Sequence, residues 1–571
     1  MANEYGNYST FNPLWNDGGV TTATYSNGNL TTVVPNGYAA AATIAVSSGK
    51  WYWEVEFDAG TYTKFGWTNE NGTSVPGGAG GVTNFWWINS GGSRVYSEGD
   101  YVTTGTTYAN GDIIGFAVDF TNDAVWVSKN GTWMGSATEA EIEAGTTTNA
   151  LWEDELVGQT IRPVVCCDGA TNSTNIINFG QTAFQTAPPD GFLTLNTANL
   201  PTPVIINPAE HFHSVVVAHD GSSTASTCTF NLSTYEWLAI IKNTTGADEN
   251  WYWINSIRGV NKYTSSNTSA SEVTDANVLT VSGTTFTLGS TLGAKNYLVE
   301  IHKAGLASAT ASNEAGSINT TETSFNQLSG FVISEFEGTA GNATIGNPLD
   351  EALDFLIHRP LDISGIANNA VVYHSSLSSG TQFITMGQAG DGVTIVAARE
   401  TGAPQQTDAT MWNSTAPTSS LISLGSNVRS NAGSSMMSYG WHRVSGYSDY
   451  GSYVGNYNAD GPFVNTGSFF GSFLTRHITD SSFTQSSGWA IMDKNLGTGV
   501  EPGFNYNYSN IYWSIPGIAS TAGSNGSLQY EFISNGMKIR RANSASGAVW
   551  MYCSWGGRPM TSGGINQGRA K

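Results

Sequence analysis

Five groups of residues have the types that site chemistry needs. His211 and His213, in "HFH", put two imidazoles on one face of an extended segment, a spacing that can ligate zinc or iron. Ligation needs three or four converging donors. No third ligand is identifiable, so the pair remains a metal candidate beside a reading as structural histidines, and His219 reads as a turn residue. Asn458 and Asp460, in "NADGPF", could offer oxygens to calcium. An EF-hand loop is longer and closes in Glu, and Asp-Gly favours a tight turn instead. Glu153, Asp154 and Glu155 cluster in "LWEDELVG". A glycosidase needs two carboxyl groups ~5–10 Å apart, one with a raised pKa; adjacent residues rarely aim at one point, so this run reads as a solvated loop. Serines are abundant, and neither HExxH nor GxxxxGK[ST] occurs. No catalytic residue and no cofactor are expected. The last group is aromatic: Trp86, Trp87, Tyr96 and Tyr101 in "GGVTNFWWINSGGSRVYSEGDY". In a strand, at least one of Trp86 and Trp87 must lie off the core. Exposed rings stack on sugars or anchor protein partners, so these four are the ligand-binding candidates, against a reading as core or interface packing.

The elements that hold these residues must be strands and turns. Among 571 residues, 39% are hydrophobic and 12% aromatic, enough for real cores. Only 12% are charged, against a usual ~25%. Glycine numbers 67, and Ser, Thr and Asn supply the polar surface, residues that compete with helix for backbone groups. The length exceeds the ~250–300 residues at which a single core stops growing, so several domains are expected. A net charge of −22 repels phosphate and anionic lipid, arguing against nucleic-acid binding. No apolar run approaches the ~18 residues of a membrane span, and the first residues carry no signal-peptide pattern. Cys166, Cys167, Cys228 and Cys553 read as small buried hydrophobes of a reducing compartment.

In "GKWYWEVEF", from Gly49, Trp51, Trp53, Val55 and Phe57 share one face and Tyr52, Glu54 and Glu56 the other. Ile114, Phe116, Val118 and Phe120 alternate likewise, and "TNDAVWVSKNGTWMG" sets Asn130-Gly131 between two strands. Asn-Gly between apolar runs is a strong hairpin signal, since a type I′ turn needs two positive φ angles. An antiparallel β-sandwich follows. "GKWYWEVEF", "FGW", "YANGDIIGFAVDFTNDAVWVSKNGTW", "RPVV" and "NFGQTAF...PPDGF", in that order, resemble a SPRY domain. The resemblance implies a concanavalin-like sandwich that binds through loops at one end and is not an enzyme.

After the Pro-rich "NTANLPTPVIINPAEHFH" an internal repeat begins. "EWLAIIKNTTGADENWYWINSIRG" from Glu236, "DFLIHRPLDISGIANNAVVYHSSL" from Asp354 and "SFLTRHITDSSFTQSSGWAIMDKN" from Ser472 each place an apolar strand, a basic residue (Lys242, Arg359, Arg476), a polar turn and a second apolar strand. Each copy closes through a Gly- or Ser-rich bend into a final strand, the first copy lacking the "MWNST...SLG" segment of the second. In the last closing strand, Val549, Met551, Cys553 and Trp555 alternate with Trp550 and Tyr552, so both faces must be buried. The expected architecture is therefore all-β: an arm at 1–37, a SPRY-like sandwich at 38–198, a linker at 199–213, tandem small β-sandwich modules at 214–305, 330–447 and 448–562, a Ser/Thr-rich joint at 306–329 and a tail at 563–571.

This arrangement resembles structural and tail-fibre-like proteins of tailed bacteriophages; "FEGTAGNATIGNPLDEALDFLIHR", "VVYHSSL" and "YEFISNGMKIRRANSASGAVWMYCSW" carry the resemblance. It implies a non-enzymatic virion protein, made in the host cytoplasm, that attaches to a host surface glycan or protein. Its partners would be other virion proteins and copies of itself, a homotrimer by analogy with fibres. The alternatives are a head-decoration or capsid-fibre protein and a glycan depolymerase.

Overall fold

The computed structural model describes residues 6–15, 23–69, 84–95, 101–245, 249–266, 268, 270–363, 370–377, 380–386, 406–455, 461–478, 490–495, 512–513, 523–524, 530–533, 535–539 and 548–559. Two sheets form the first domain. A nine-stranded sheet runs in the order Thr24–Ser26, Thr31–Val34, Ser173–Asn178, Lys50–Ala59, Ile113–Asp119, Ala124–Lys129, Thr132–Trp133, with two short strands beside it. A six-stranded sheet runs Tyr38–Ala41, Ile161–Cys167, Thr63–Asn69, Phe85–Asn89, Ser93–Val95, Tyr101–Thr103. Trp51, Trp53, Val55 and Phe57 fill the space between the sheets with Phe65, Trp67 and Trp86. The opposite face of Lys50–Ala59 is buried too: Tyr52 packs with Trp126, Ile142 and Phe192 under the helix Glu139–Ala144. That helix starts at a capping box between Thr138 and Glu141 and stops at Gly145, whose φ of 70° suits glycine. The segment 1–37 is no free arm where it is described. Its strands Thr24–Ser26 and Thr31–Val34 join the large sheet, and Phe11 enters the core.

The second half contains three sheets of one design. Each has an opening, a closing, a second and a third strand, hydrogen-bonded in that lateral order. In module 1 these are Phe212–Ala218, Asn296–Leu306, Tyr235–Asn243 and Tyr252–Asn255. In module 2 they are Phe331–Glu337, Ser435–Trp441, Phe355–Pro360 and Ala370–His374, and in module 3 Asp449–Val454, Val549–Trp555, Ser472–His477 and Ala490–Asp493. Lys242, Arg359 and Arg476 recur at a spacing of 117 residues. The first module thus has the full strand set despite its missing segment. Two differences from the sequence reading are local. The opening strand of module 1 starts at Phe212, inside the segment read as linker. The segment read as a joint contains Thr320–Asn326, which forms a hairpin with Phe331–Glu337 and extends the sheet of module 2.

Alternation explains how the sheets are buried on both sides. In module 1, Trp237, Ala239 and Ile241 face a small second sheet of that module, with Phe286 and Leu288. Leu238 and Ile240 face the other way, into a core shared with Phe355, Ile357, Trp441, Leu474, Met551, Cys553 and Trp555 from the other two modules. Each module is therefore a small sandwich, and all three put their remaining face into one centre. Register makes the positions equivalent. Ile240 pairs with Glu300 and Trp253; Ile357 with Tyr439 and Val372; Leu474 with Cys553 and Ile491. One step along, Leu238, Phe355 and Ser472 pair with His302, Trp441 and Trp555 on the closing strands and with Asn255, His374 and Asp493 on the third strands.

Candidate functional sites: the covered SPRY face and the seams of the ring

The aromatic candidates are not surface groups. Trp86 and Trp87 do point to opposite faces of Phe85–Asn89, yet both are buried, at 2% and 0% exposure. Trp86 stacks on Trp67 at 5.9 Å in the main core, and its Nε1 donates to Glu155 Oε2 at 2.6 Å. Trp87 faces outward from the sandwich, but Phe463 and Ile533 of module 3 cover it, together with Trp15. The expectation of an exposed Trp86–Trp87 surface is corrected on this ground: the second face of the six-stranded sheet is an interface within the chain. Arg162 lies with its guanidinium 5.6 Å from the Phe463 ring centre, and Asn535 Nδ2 donates to the Thr43 carbonyl at 2.7 Å. Tyr96 lies outside the described residues; Tyr101 belongs to the strand Tyr101–Thr103, its side chain not among those described.

The acidic run Glu153–Glu155 serves the fold through Glu155 and its tryptophan partner. His211 and His213 have different surroundings. His211 Nδ1 accepts from Asn326 Nδ2 at 2.9 Å and its ring lies against Tyr447, whereas His213 Nδ1 lies 3.5 Å from Thr229 Oγ1 and its ring against Phe286. Burial holds both imidazoles down to about 4. His219, read as a turn residue, has Thr224 Oγ1 and the Leu292 carbonyl as partners. Among the described residues no three His, Cys, Asp or Glu side chains converge as a metal site. Asn458 and Asp460 lie outside the described residues.

The groups that composition alone does not single out sit at the seams between modules. Asn255 Nδ2 of module 1 donates to Tyr439 Oη of module 2 at 2.9 Å. His374 of module 2, at the equivalent position, donates from Nε2 to the Tyr552 carbonyl of module 3 at 3.0 Å, while its Nδ1 accepts from Ser376 N–H at 3.0 Å. Asp493 of module 3 accepts from Ser214 Oγ of module 1. Three equivalent third-strand residues thus reach the next module in turn, and the third contact returns to the first module. The sheets form a closed ring. Further links follow the same seams: Arg258 donates to Glu272 at 2.7 and 3.0 Å and also to Glu335 of module 2, and Arg359 Nη2 donates to the carbonyls of Thr268 and Ala270 at 3.2 and 3.0 Å.

His302 lies at the centre. Its ring meets Phe212, Phe331, Trp441 and Trp555, at 4.9, 5.5, 5.6 and 5.3 Å, hence all three modules. Burial depresses it to about 3. A cavity of about 20 Å³ lies there, bounded by His302, Glu300, Ile240, Ile357, Leu474 and neighbours. "NYLVEIHKAG" held the available signal, since Leu298, Glu300 and His302 fall on one face of a strand that both sides bury.

The fold and its contacts define an all-β protein in which a SPRY-type sandwich is docked on a ring of three like sheets. The chain belongs to the DUF7483 family, described as a domain of unknown function, whose model matches residues 207–559. A SPRY domain model matches residues 50–182. Similar solved structures include the SPRY domain of human HERC1, 15% identical over 30% of this chain and 99% of that one, with a TM-score of 0.25. The TRIM65 PSpry domain is 14% identical over 30% of this chain and 92% of that one, TM-score 0.21. Stonustoxin is 15% identical over 30% of this chain but 27% of its own, TM-score 0.22. No curated protein matches the chain. Among the described residues no helix is long and apolar enough to cross a membrane, and all four cysteines are buried free thiols.

Proposed function

We propose that this chain is a non-enzymatic structural protein of a tailed-bacteriophage virion, a tail-fibre or appendage component that attaches to a host surface glycan or protein. The observation that carries the reading is the docking of the SPRY sandwich. Phe463 and Ile533 of module 3 cover its six-stranded sheet, so the sandwich is mounted on the ring as one body. Contact with a partner then falls to loops at its rim, where the SPRY resemblance also puts binding. The carboxyl groups fit a role without catalysis. Glu54 accepts from Tyr52 Oη, Gln185 N–H and Thr186 N–H, Glu155 holds Trp86, and Glu272 and Glu335 hold Arg258. Several copies per particle would add weak contacts into avidity.

Adsorption of virions to host cells in the presence of purified protein tests this reading. Soluble protein is expected to block adsorption in a dose-dependent way. Binding to empty heads without any effect on adsorption would replace the reading by head decoration. Release of sugar fragments from host envelope would replace it by a depolymerase.

A further inference from the structure

The three equivalent seams are not chemically equal. Asn255 meets Tyr439 and His374 meets the Tyr552 carbonyl, each a donor against an acceptor. At the third seam Asp493 faces module 1 where Glu300 stands, in the place that Tyr439 and Cys553 hold in the other modules. Ser214, the ladder partner of Glu300, donates to Asp493 Oδ2, and Asp493 Oδ1 accepts from Asn495 N–H at 2.7 Å. Glu300 is 1% exposed, and no hydrogen bond of normal geometry reaches either of its oxygens; the polar side chains beside them are Ser472 and Asp493. Ionised carboxylates only accept hydrogen bonds, and like charges at such a site cannot both persist in a dry interior.

We propose that Glu300 and Asp493 share one proton, and that this acid pair is the latch closing the ring between modules 3 and 1. The surrounding groups fit. Module 1 contributes Ser214, His213 and His302; module 3 contributes Ser472, Lys494 and Asn495, with Arg558 near Lys494. Module 2 offers Phe355, Ile357, Met386 and Trp441, none of them charged. Burial first, and then the charge of Asp493, hold the Glu300 carboxyl well above its ordinary value. Burial raises Asp493 as well, and lowers Lys494. The cavity of about 20 Å³ has room for one water, which needs roughly 10–15 Å³, and not for the hydration of a second charge.

A carboxyl raised in the fold stabilises it fully below its ordinary value of 4.5. That stability drains as pH rises toward the folded value, above which both groups ionise and the latch opens. The test compares denaturant unfolding of the full chain and of Glu300→Gln from pH 6.5, above the range in which the buried histidines charge, to about 9.5. Gln keeps the shape, donates to Asp493 and does not titrate. The unfolding constant of the unaltered protein relative to the variant should rise about tenfold per pH unit until the folded value is reached. Histidines cancel in that ratio. Infrared spectra at pH 7 should show a protonated-carboxyl band that Glu300→Gln lacks. Parallel pH curves with no such band mean two ionised carboxylates and overturn the proposal. Should Glu300→Gln fail to fold, Asp493→Asn, which can donate to an ionised Glu300, must lose the same slope and band.

Discussion

The SPRY sandwich and the ring each bury a glutamate in the middle of a strand whose two faces are covered, and they treat it differently. Glu54 collects three donors, one phenol and two backbone amides. Glu300 collects none of normal geometry, with only the Ser472 hydroxyl and the Asp493 carboxyl beside it. In the sandwich the loop at 185–186 comes from the same domain and folds down onto Glu54. In the ring, the group opposite Glu300 belongs to another module. A domain that closes on itself can supply backbone donors to a buried charge; a ring of repeats meets its own side chains and must neutralise charge by a proton. Histidine sharpens the contrast. All eight histidines of the chain lie at or after His211, so only the ring carries them.

The largest expected difference between the two regions is therefore acid sensitivity. Burial depresses His302 to about 3 and His358 and His374 to about 4, from an ordinary 6.5. Groups lowered in the fold stabilise it above 6.5 and lose that stability as pH falls, each by about 1.4 kcal/mol per pH unit. Three such groups reach a typical stability of ~5–15 kcal/mol within two or three units. Acid titration followed by hydrogen exchange should open residues of the ring between pH 6.5 and about 4 while the SPRY strands stay protected. Simultaneous loss in both regions would break the comparison.

Next in size is Trp441→Ala. Truncating a buried Trp costs roughly 3–5 kcal/mol, and Trp441 contacts Phe331, Phe355, His302 and Trp555. Since the core is shared, exchange should rise in all three modules and not in module 2 alone. Trp53→Ala, in the sandwich core, should cost a similar amount and leave ring exchange unchanged. Glu54→Ala should follow, at about 1–3 kcal/mol by thermal unfolding, because the buried Tyr52 hydroxyl and the amides of Gln185 and Thr186 lose their acceptor. The smallest effect is expected for Tyr439→Phe, about 1 kcal/mol, from the single bond to Asn255.

Much of the strand architecture was legible because period-two alternation is a local property. Trp51 to Phe57 fall on one face as their spacing requires, and Asn130 and Gly131 take φ angles of 46° and 82° in the expected hairpin. The three repeats were legible from Lys242, Arg359 and Arg476. The helix Glu139–Ala144 carried its signal in Thr138 and Glu141, which a search for alternation passes over. What covers a face was not legible. Nothing near Trp87 in the chain announces Phe463 or Ile533, and apolar residues on both sides of Val549–Trp555 imply two cores without saying that one is common to three sheets. The seam residues share this difficulty: Asn255, His374 and Asp493 differ in type, and only backbone register reveals that they stand at one position.

The buried cluster that Trp87 shares with Phe463 and Ile533 ties the first domain to the last module, while the backbone ties it to the first. The polypeptide is thus a circuit, joined covalently at one crossing and by packing at the other. A protease cut near Val204, which is 63% exposed, should leave the two fragments travelling together on a sizing column. Removing module 3 instead would bare the tryptophan and set the sandwich swinging from its tether.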